Sequence, residues 1–203
     1  MTWGELKNEV LGLMFSNVNG TQKISVSDAS VSEYVLNMPD AAQFAFSDLS
    51  DVCPYIEEVS FELPLSDTVI DLKEKFPQFI RFLEREATCE EPRGSYSKFS
   101  GYTLFGNNKM RITENTSGTV RLYASCFPIY PTDTLPDDTE IPYPREALTA
   151  ASYYIAHRLF AEDDISLSVQ YLNMYEEMKE NLSKKYSRDL YEHDEFSNKA
   201  GWL

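Results

Sequence analysis

The chain has 203 residues, with 33 Asp and Glu against 18 Lys and Arg, a formal net charge of −15. Such acidity repels a phosphate backbone, whereas gripping duplex DNA takes several Lys or Arg that displace counterions, so a DNA-gripping role is not expected. Apolar residues make up 42% of the chain and aromatic ones 13%, enough for a core, which argues against wholesale disorder and for one or two compact units.

A membrane-spanning helix needs about 20 mostly apolar residues. The longest uncharged run, Val10–Gln22, contains Asn17, Asn19 and Gly20, so no span and no membrane association are expected. Glu5, Lys7 and Glu9 stand where a secretory leader would be basic and then apolar, and the chain is expected to start in the cytoplasm. Cys53, Cys89 and Cys126 form an odd set without C-x-x-C spacing, which fits reduced, buried thiols.

Thr2 and Glu5 have the form of a capping box, and Trp3, Leu6, Val10, Leu13 and Met14 follow at helical spacing, predicting a helix over Thr2–Phe15. Ser16–Ser27 reads as a loop. Val31, Tyr34, Val35, Met38, Ala42, Ala45, Phe46 and Leu49 predict a second helix, with a kink or break at Asn37 or Met38 because Pro39 removes a hydrogen bond and crowds the preceding turn. From Cys53 the period becomes two: Val59, Phe61 and Leu63 alternate with polar residues, as do Val120, Leu122, Ala124 and Cys126. Tyr102–Phe105 and Met110–Thr113 flank Gly106-Asn107-Asn108-Lys109, a hairpin turn, and Asn115–Gly118 makes another. Phe79–Glu86 reads either as a strand or, within Leu72–Glu86, as helix broken by Pro77.

Cys126–Pro144 holds five of the ten prolines and is expected to be an extended connector. Pro144 then opens a third helix to Phe160, with Leu148, Ala151, Ile155 and Leu159 as its stripe. Glu162-Asp163-Asp164 opens a fourth, with Ile165, Val169, Leu172, Tyr175, Leu182 and Tyr186 as its apolar line and Lys184, Lys185 and Arg188 at its end. Asp189–Leu203 shows no periodicity and is expected to lack a fold of its own. The predicted class is α+β: a four-helix core (two N-terminal, two C-terminal helices) with an antiparallel β module inserted between the pairs. The divisions are 1–52, 53–127, 128–188 and a tail at 189–203.

Nucleophilic catalysis by Ser or Cys usually needs a histidine base, and the two histidines, His157 and His193, fall on a helix and in the tail. No phosphate-binding or hydrolase motif is present, so no catalytic residue, cofactor or enzymatic activity is expected. The acidic clusters Glu90-Glu91, Asp137-Asp138-x-Glu140 and Glu162-Asp163-Asp164 lack calcium-loop spacing, and no metal site is expected. Tyr96, Phe99, Tyr102, Phe105 and Tyr123 in the β module admit a second reading, a carbohydrate-binding or other tail or baseplate binding module, although aromatics favour strands in any case.

Glu140-Ile141-Pro142-Tyr143-Pro144-Arg145-Glu146-Ala147, Tyr153-Tyr154-Ile155-Ala156-His157-Arg158-Leu159-Phe160, Glu162-Asp163-Asp164 and Tyr171-Leu172-Asn173-Met174-Tyr175-Glu176-Glu177-Met178 together resemble the C-terminal helical pair of tailed-bacteriophage head–tail connector (adaptor or neck) proteins. Thr2–Phe15 and the helix with Pro39-Asp40-Ala41-Ala42 resemble the N-terminal pair, so about half the chain is covered; the β module departs from the minimal all-helical adaptor. The resemblance implies a virion structural protein of the neck, assembled in the host cytoplasm. It would form a ring, commonly of twelve copies, between the portal protein and tail or stopper proteins, through which DNA passes without sequence-specific binding. Segments poor in core material often order only on a partner. Tyr191, Phe196, Trp202 and Leu203 are therefore the candidate anchors to portal or tail, and Tyr153, Tyr154, Tyr171 and Tyr175 the candidate subunit-contact residues.

Overall fold

A computed structural model describes residues 1–15, 26–63, 69–83, 87–90, 96–106, 108–113 and 118–197, with the backbone alone at 63, 96 and 187–197. The protein is α+β, with helices and two antiparallel sheets. The chain divides into a helical unit, Met1–Cys53 with Pro128–Leu203, and a β unit, Pro54–Phe127.

In the helical unit, α1 (Trp3–Phe15) opens on the expected reciprocal cap: Thr2 N–H donates to Glu5 Oε2 (2.9 Å) and Glu5 N–H to Thr2 Oγ1 (3.2 Å). The proline-rich connector supplies further acceptors to the same helix end, since Trp3 N–H reaches the Thr139 carbonyl and Gly4 N–H the Asp137 carbonyl, each at 2.8 Å. The connector thus satisfies donors that a helix start leaves unpaired, and Lys7 pairs with Asp137. A short 3₁₀ turn, Ala29–Val31, leads into α2 (Ser32–Leu49).

Of the kink or break expected at Asn37 or Met38, the break does not occur: α2 runs as one helix through Pro39. A mid-helix proline costs about 3 kcal/mol. That cost is offset by burial along the whole face, where Met38, Pro39, Ala41, Ala42, Ala45, Phe46 and Leu49 all lie in the core. α4 (Arg145–Phe160) begins after Pro144, which sits at the cap position and not inside the helix. Its buried residues include Ala147, Ala150, Ala151 and Ala156, small enough for α1, α2 and α5 (Ile165–Ser197) to pack against it. The stripe of α4 ends on Phe160, with Leu159 half-buried.

The apolar line expected on α5 is also partly corrected. Ser168, Tyr175 and Leu182 face inward, whereas Ile165 is 71% exposed and Val169 is exposed too. The capping bond from Leu167 N–H to Asp164 Oδ1 (3.0 Å) fixes the helix phase, which places Ser168 against α4 and turns Ile165 out. The backbone of α5 continues to Ser197, past Asp189, where the sequence shows no period.

In the β unit, β1 (Tyr55–Leu63) pairs with β8 (Gly118–Cys126) without a register break, from Tyr55 opposite Cys126 to Leu63 opposite Gly118. The other edge of β8 is shared by β3 (Phe79–Phe82) and β4 (Thr88–Glu90), and β5 (Tyr96–Lys98) follows β4. The second sheet runs β2 (Val69–Asp71), β7 (Lys109–Ile112), β6 (Tyr102–Phe105). The one-turn α3 (Leu72–Lys75) ends before Pro77, so the ambiguous stretch holds a short helix and then a strand. Val120, Leu122, Ala124 and Cys126 point into a core with Ile70, Leu72, Phe76, Ala87, Cys89, Phe99, Met110 and Ile112. The loop expected at Ser16–Ser27 and the turn at Asn115–Gly118 fall largely outside the described residues.

Candidate functional site

Where α4 ends and α5 begins, the acidic turn 161–164 meets α2. The hydroxyl of Tyr34 donates to Asp163 Oδ2 at 2.6 Å. That bond, with some burial, pushes the Tyr34 phenol up to about 12, so it holds its proton. One turn back, Ser168 Oγ lies 2.8 Å from His157 Nδ1 and 3.0 Å from the His157 carbonyl. With the serine proton on the carbonyl, Nδ1–H donates to Ser168, and the pair fastens α5 to α4. Arg158 lies over the Phe44 ring at 4.4 Å, within cation–π range.

These groups border a cleft of about 590 Å3 whose charged lining is Glu33, Asp40, Glu162 and Asp163 against Arg158 and His157. Phe44, on α2 and under Arg158, is 53% exposed. The cleft favours cationic groups carried on an apolar surface. Its acids belong to a wider imbalance: the helical unit has 22 acidic residues against nine basic ones, a net of −13, and the β unit has 11 against nine, a net of −2. Among the described residues no group of three or more His, Cys, Asp or Glu is placed to hold a metal ion. No described helix is long and apolar enough to cross a membrane.

The four candidate contact tyrosines are brought together, but inside the helical unit. Tyr175 is fully buried, and its hydroxyl donates to Asp48 Oδ2, which also accepts from Lys179 Nζ at 2.7 Å. Burial and Asp48 raise its pKa far above the phenol range. Tyr171 donates to the Leu13 carbonyl at 2.6 Å and stacks on Phe160. Tyr154 packs edge-on against Tyr175 at 4.9 Å, and Tyr153 lies 6.2 Å from Tyr171. Tyr175 therefore has no surface to offer a second subunit, and the hydroxyl of Tyr171 is taken. Tyr153 and Tyr154 keep partial exposure.

Of the candidate anchors, Tyr191 and Phe196 lie on the backbone of α5, and Trp202 and Leu203 lie outside the described residues. Among the β-module aromatics, Phe99 is buried in the core, and Tyr102 packs against it at 5.7 Å and against Phe82 at 5.5 Å. Tyr123 is half-buried on β8, and the side chain of Tyr96 is not described. Phe105 alone of the four described rings is exposed, at 39%, so the described rings form no stacking platform.

The sequence does not single out Tyr34, Phe44, Arg158 or Asp163 as site residues. The cleft joins α2 to a turn more than a hundred positions later, and no local spacing announces such a meeting. No family model matches the chain, and no curated protein matches it.

Proposed function

We propose that this chain is a head–tail connector (adaptor) of a tailed bacteriophage, a virion structural protein whose copies ring a DNA passage between portal and tail. The observation that carries the reading is the packing of the resembling segments. The proline-led α4, its small-residue face, the acidic turn and α5 form a packed pair, and α1 and α2 from the other end of the sequence join them in one unit while the β unit stands as an insertion. A second support is charge. The net −13 of the helical unit would line or flank a passage with carboxylates, which repel DNA phosphates and let the genome slide without sticking.

The anchor segment proposed for portal or tail is Tyr191 to Leu203. Co-expression with the portal protein of the same genome, followed by electron microscopy of the purified complex, tests the reading. The expected result is a ring coaxial with the portal. A chain that neither co-purifies with the portal nor assembles on it, or one that turns over a substrate in a His157-dependent way, would overturn it.

A further inference from the structure

The three-stranded sheet of the β unit is two-faced. Ile70, Met110 and Ile112 point into the core with Tyr102 and Leu104 packed beside them. Register places the alternate residues on the other face, where Val69 lies opposite Arg111, Arg111 opposite Thr103, and Lys109 between Asp71 and Phe105. Val69 is 46% exposed, Phe105 is exposed as already described, and Lys109 and Arg111 are exposed between them. Among the described residues neither cation forms an ion pair, and Arg111 lies 5.8 Å from the Phe105 ring. Asp71 is already engaged, accepting from Lys73 N–H at 3.0 Å and Asn108 Nδ2 at 2.7 Å. Lys73, Glu74 and Lys75 are exposed on the one-turn α3, whose first residue donates to the Asn108 carbonyl at 2.7 Å. In a chain of net charge −15, this face sets Lys109 and Arg111 among two exposed apolar side chains.

From this arrangement we infer that the outer face of β2-β7-β6 docks on a second copy of the chain, seated against the cleft between α2 and the turn after α4. The two surfaces are complementary in both respects that matter for a contact. Lys109 and Arg111 meet Glu33, Asp40 and Glu162, while Val69 and Phe105 meet the exposed ring of Phe44. Arg111 beside Phe105 and Arg158 beside Phe44 repeat one pairing, an arginine held over an aromatic ring at the edge of each surface. The two patches differ, so the contact is heterologous, of the kind that propagates around a ring or along a filament. The inference deepens the connector reading and rests on it for the closure into a ring. A nucleic acid is disfavoured as the occupant because the cations are few and Asp71 lies among them, whereas each copy supplies the complementary acids.

The test uses the full chain with portal present, in two single variants, Arg111→Cys and Asp40→Cys, mixed in equal amounts under mild oxidation. The three native cysteines are buried. A disulfide between the two variants can only join different copies, and it is expected to form at least ten-fold faster than either homodimer. In parallel, Lys109→Glu with Arg111→Glu is expected to lower self-association at least ten-fold, and adding Glu33→Lys and Asp40→Lys is expected to restore most of it. No preference for the mixed disulfide, or no restoration by the charge swap, overturns the docking surface. So does retention of the wild type on single-stranded DNA that the double Glu variant loses. Rings on the portal without the mixed disulfide would leave the connector reading standing and remove this surface. The mixed disulfide without any portal complex would do the reverse.

Discussion

The helical unit rests on long elements, helices of 13, 18, 16 and 33 residues, the other three packing on the 16-residue α4. The β unit rests on strands of three and four residues gathered around two of nine. Short strands have no stability alone, so β3 and β4 depend on β8, which also carries β1 along its other edge. One unit spreads its stability over four helices, and the other concentrates it in a single strand.

The largest effects should come from the two cores, and they test whether the units melt apart. Phe46→Ala removes a fully buried ring from α2, and Leu122→Ala removes a fully buried side chain from β8. Costs of about 3–5 and 2–5 kcal/mol are expected. Scanning calorimetry should show Phe46→Ala lowering one transition and Leu122→Ala the other. A common shift in both variants would mean that the chain unfolds as one body and would break the comparison.

Gly118 comes next. It starts β8 at φ +140°, and a Cβ there would collide with the Glu90 carbonyl oxygen of the neighbouring strand. Gly118→Ala is expected to cost about 1–3 kcal/mol, read as a lower transition for the β unit. An unchanged transition would show that β4 can shift away from β8 at no cost, against the central role given to β8.

Legibility follows the same division. The capping box, the start of α4 after Pro144 and the alternation in β8 were readable because each signal lies within a few residues of the element it makes. Strands β2, β4 and β5, of three residues each, are too short for a period of two to show. Pro39 does not split α2, because the burial that offsets it comes from other helices. Tyr175 was legible on the apolar line of its helix and as a candidate contact residue; its burial follows the first, and what the sequence does not show is its partner Asp48, 127 positions away. The cleft and the basic sheet face escaped for a related reason, since both depend on which strands or helices become neighbours.

Smaller effects sharpen the account of the helical unit. Tyr175→Phe leaves Asp48 with Lys179 as its remaining donor among those described, and about 1–2 kcal/mol of stability should be lost, with Asp48→Asn giving little further loss on top of it. Additive losses from the two changes would show that they do not act through one bond. Alkaline titration separates the units further. Tyr34, Tyr143, Tyr171, Tyr175 and Tyr186 of the helical unit all hold their protons more tightly than an ordinary phenol, as does Tyr123 of the β unit. Groups raised in the folded state contribute stability that is complete below the unfolded value near 10 and is lost as pH rises through the folded values. The helical transition should therefore fall more steeply than the β transition between pH 10 and 12, and Tyr34→Phe should soften that fall. Equal slopes would sink the assignment.

The smallest expected effect lies at the first turn of α1, where two sources of acceptors overlap. Thr2 Oγ1 serves Glu5 N–H, while the connector carbonyls of Thr139 and Asp137 serve Trp3 and Gly4. Thr2→Ala should cost about 1 kcal/mol or less, toward the low end of a lost cap, because the neighbouring donors keep their partners. Glu5→Gln retains an acceptor for Thr2 N–H and should cost less still. A loss above about 2 kcal/mol for Thr2→Ala, measured as a shift of the helical transition alone, would mean that the cap holds the connector in place as well as the helix, and that the two sets of bonds form together.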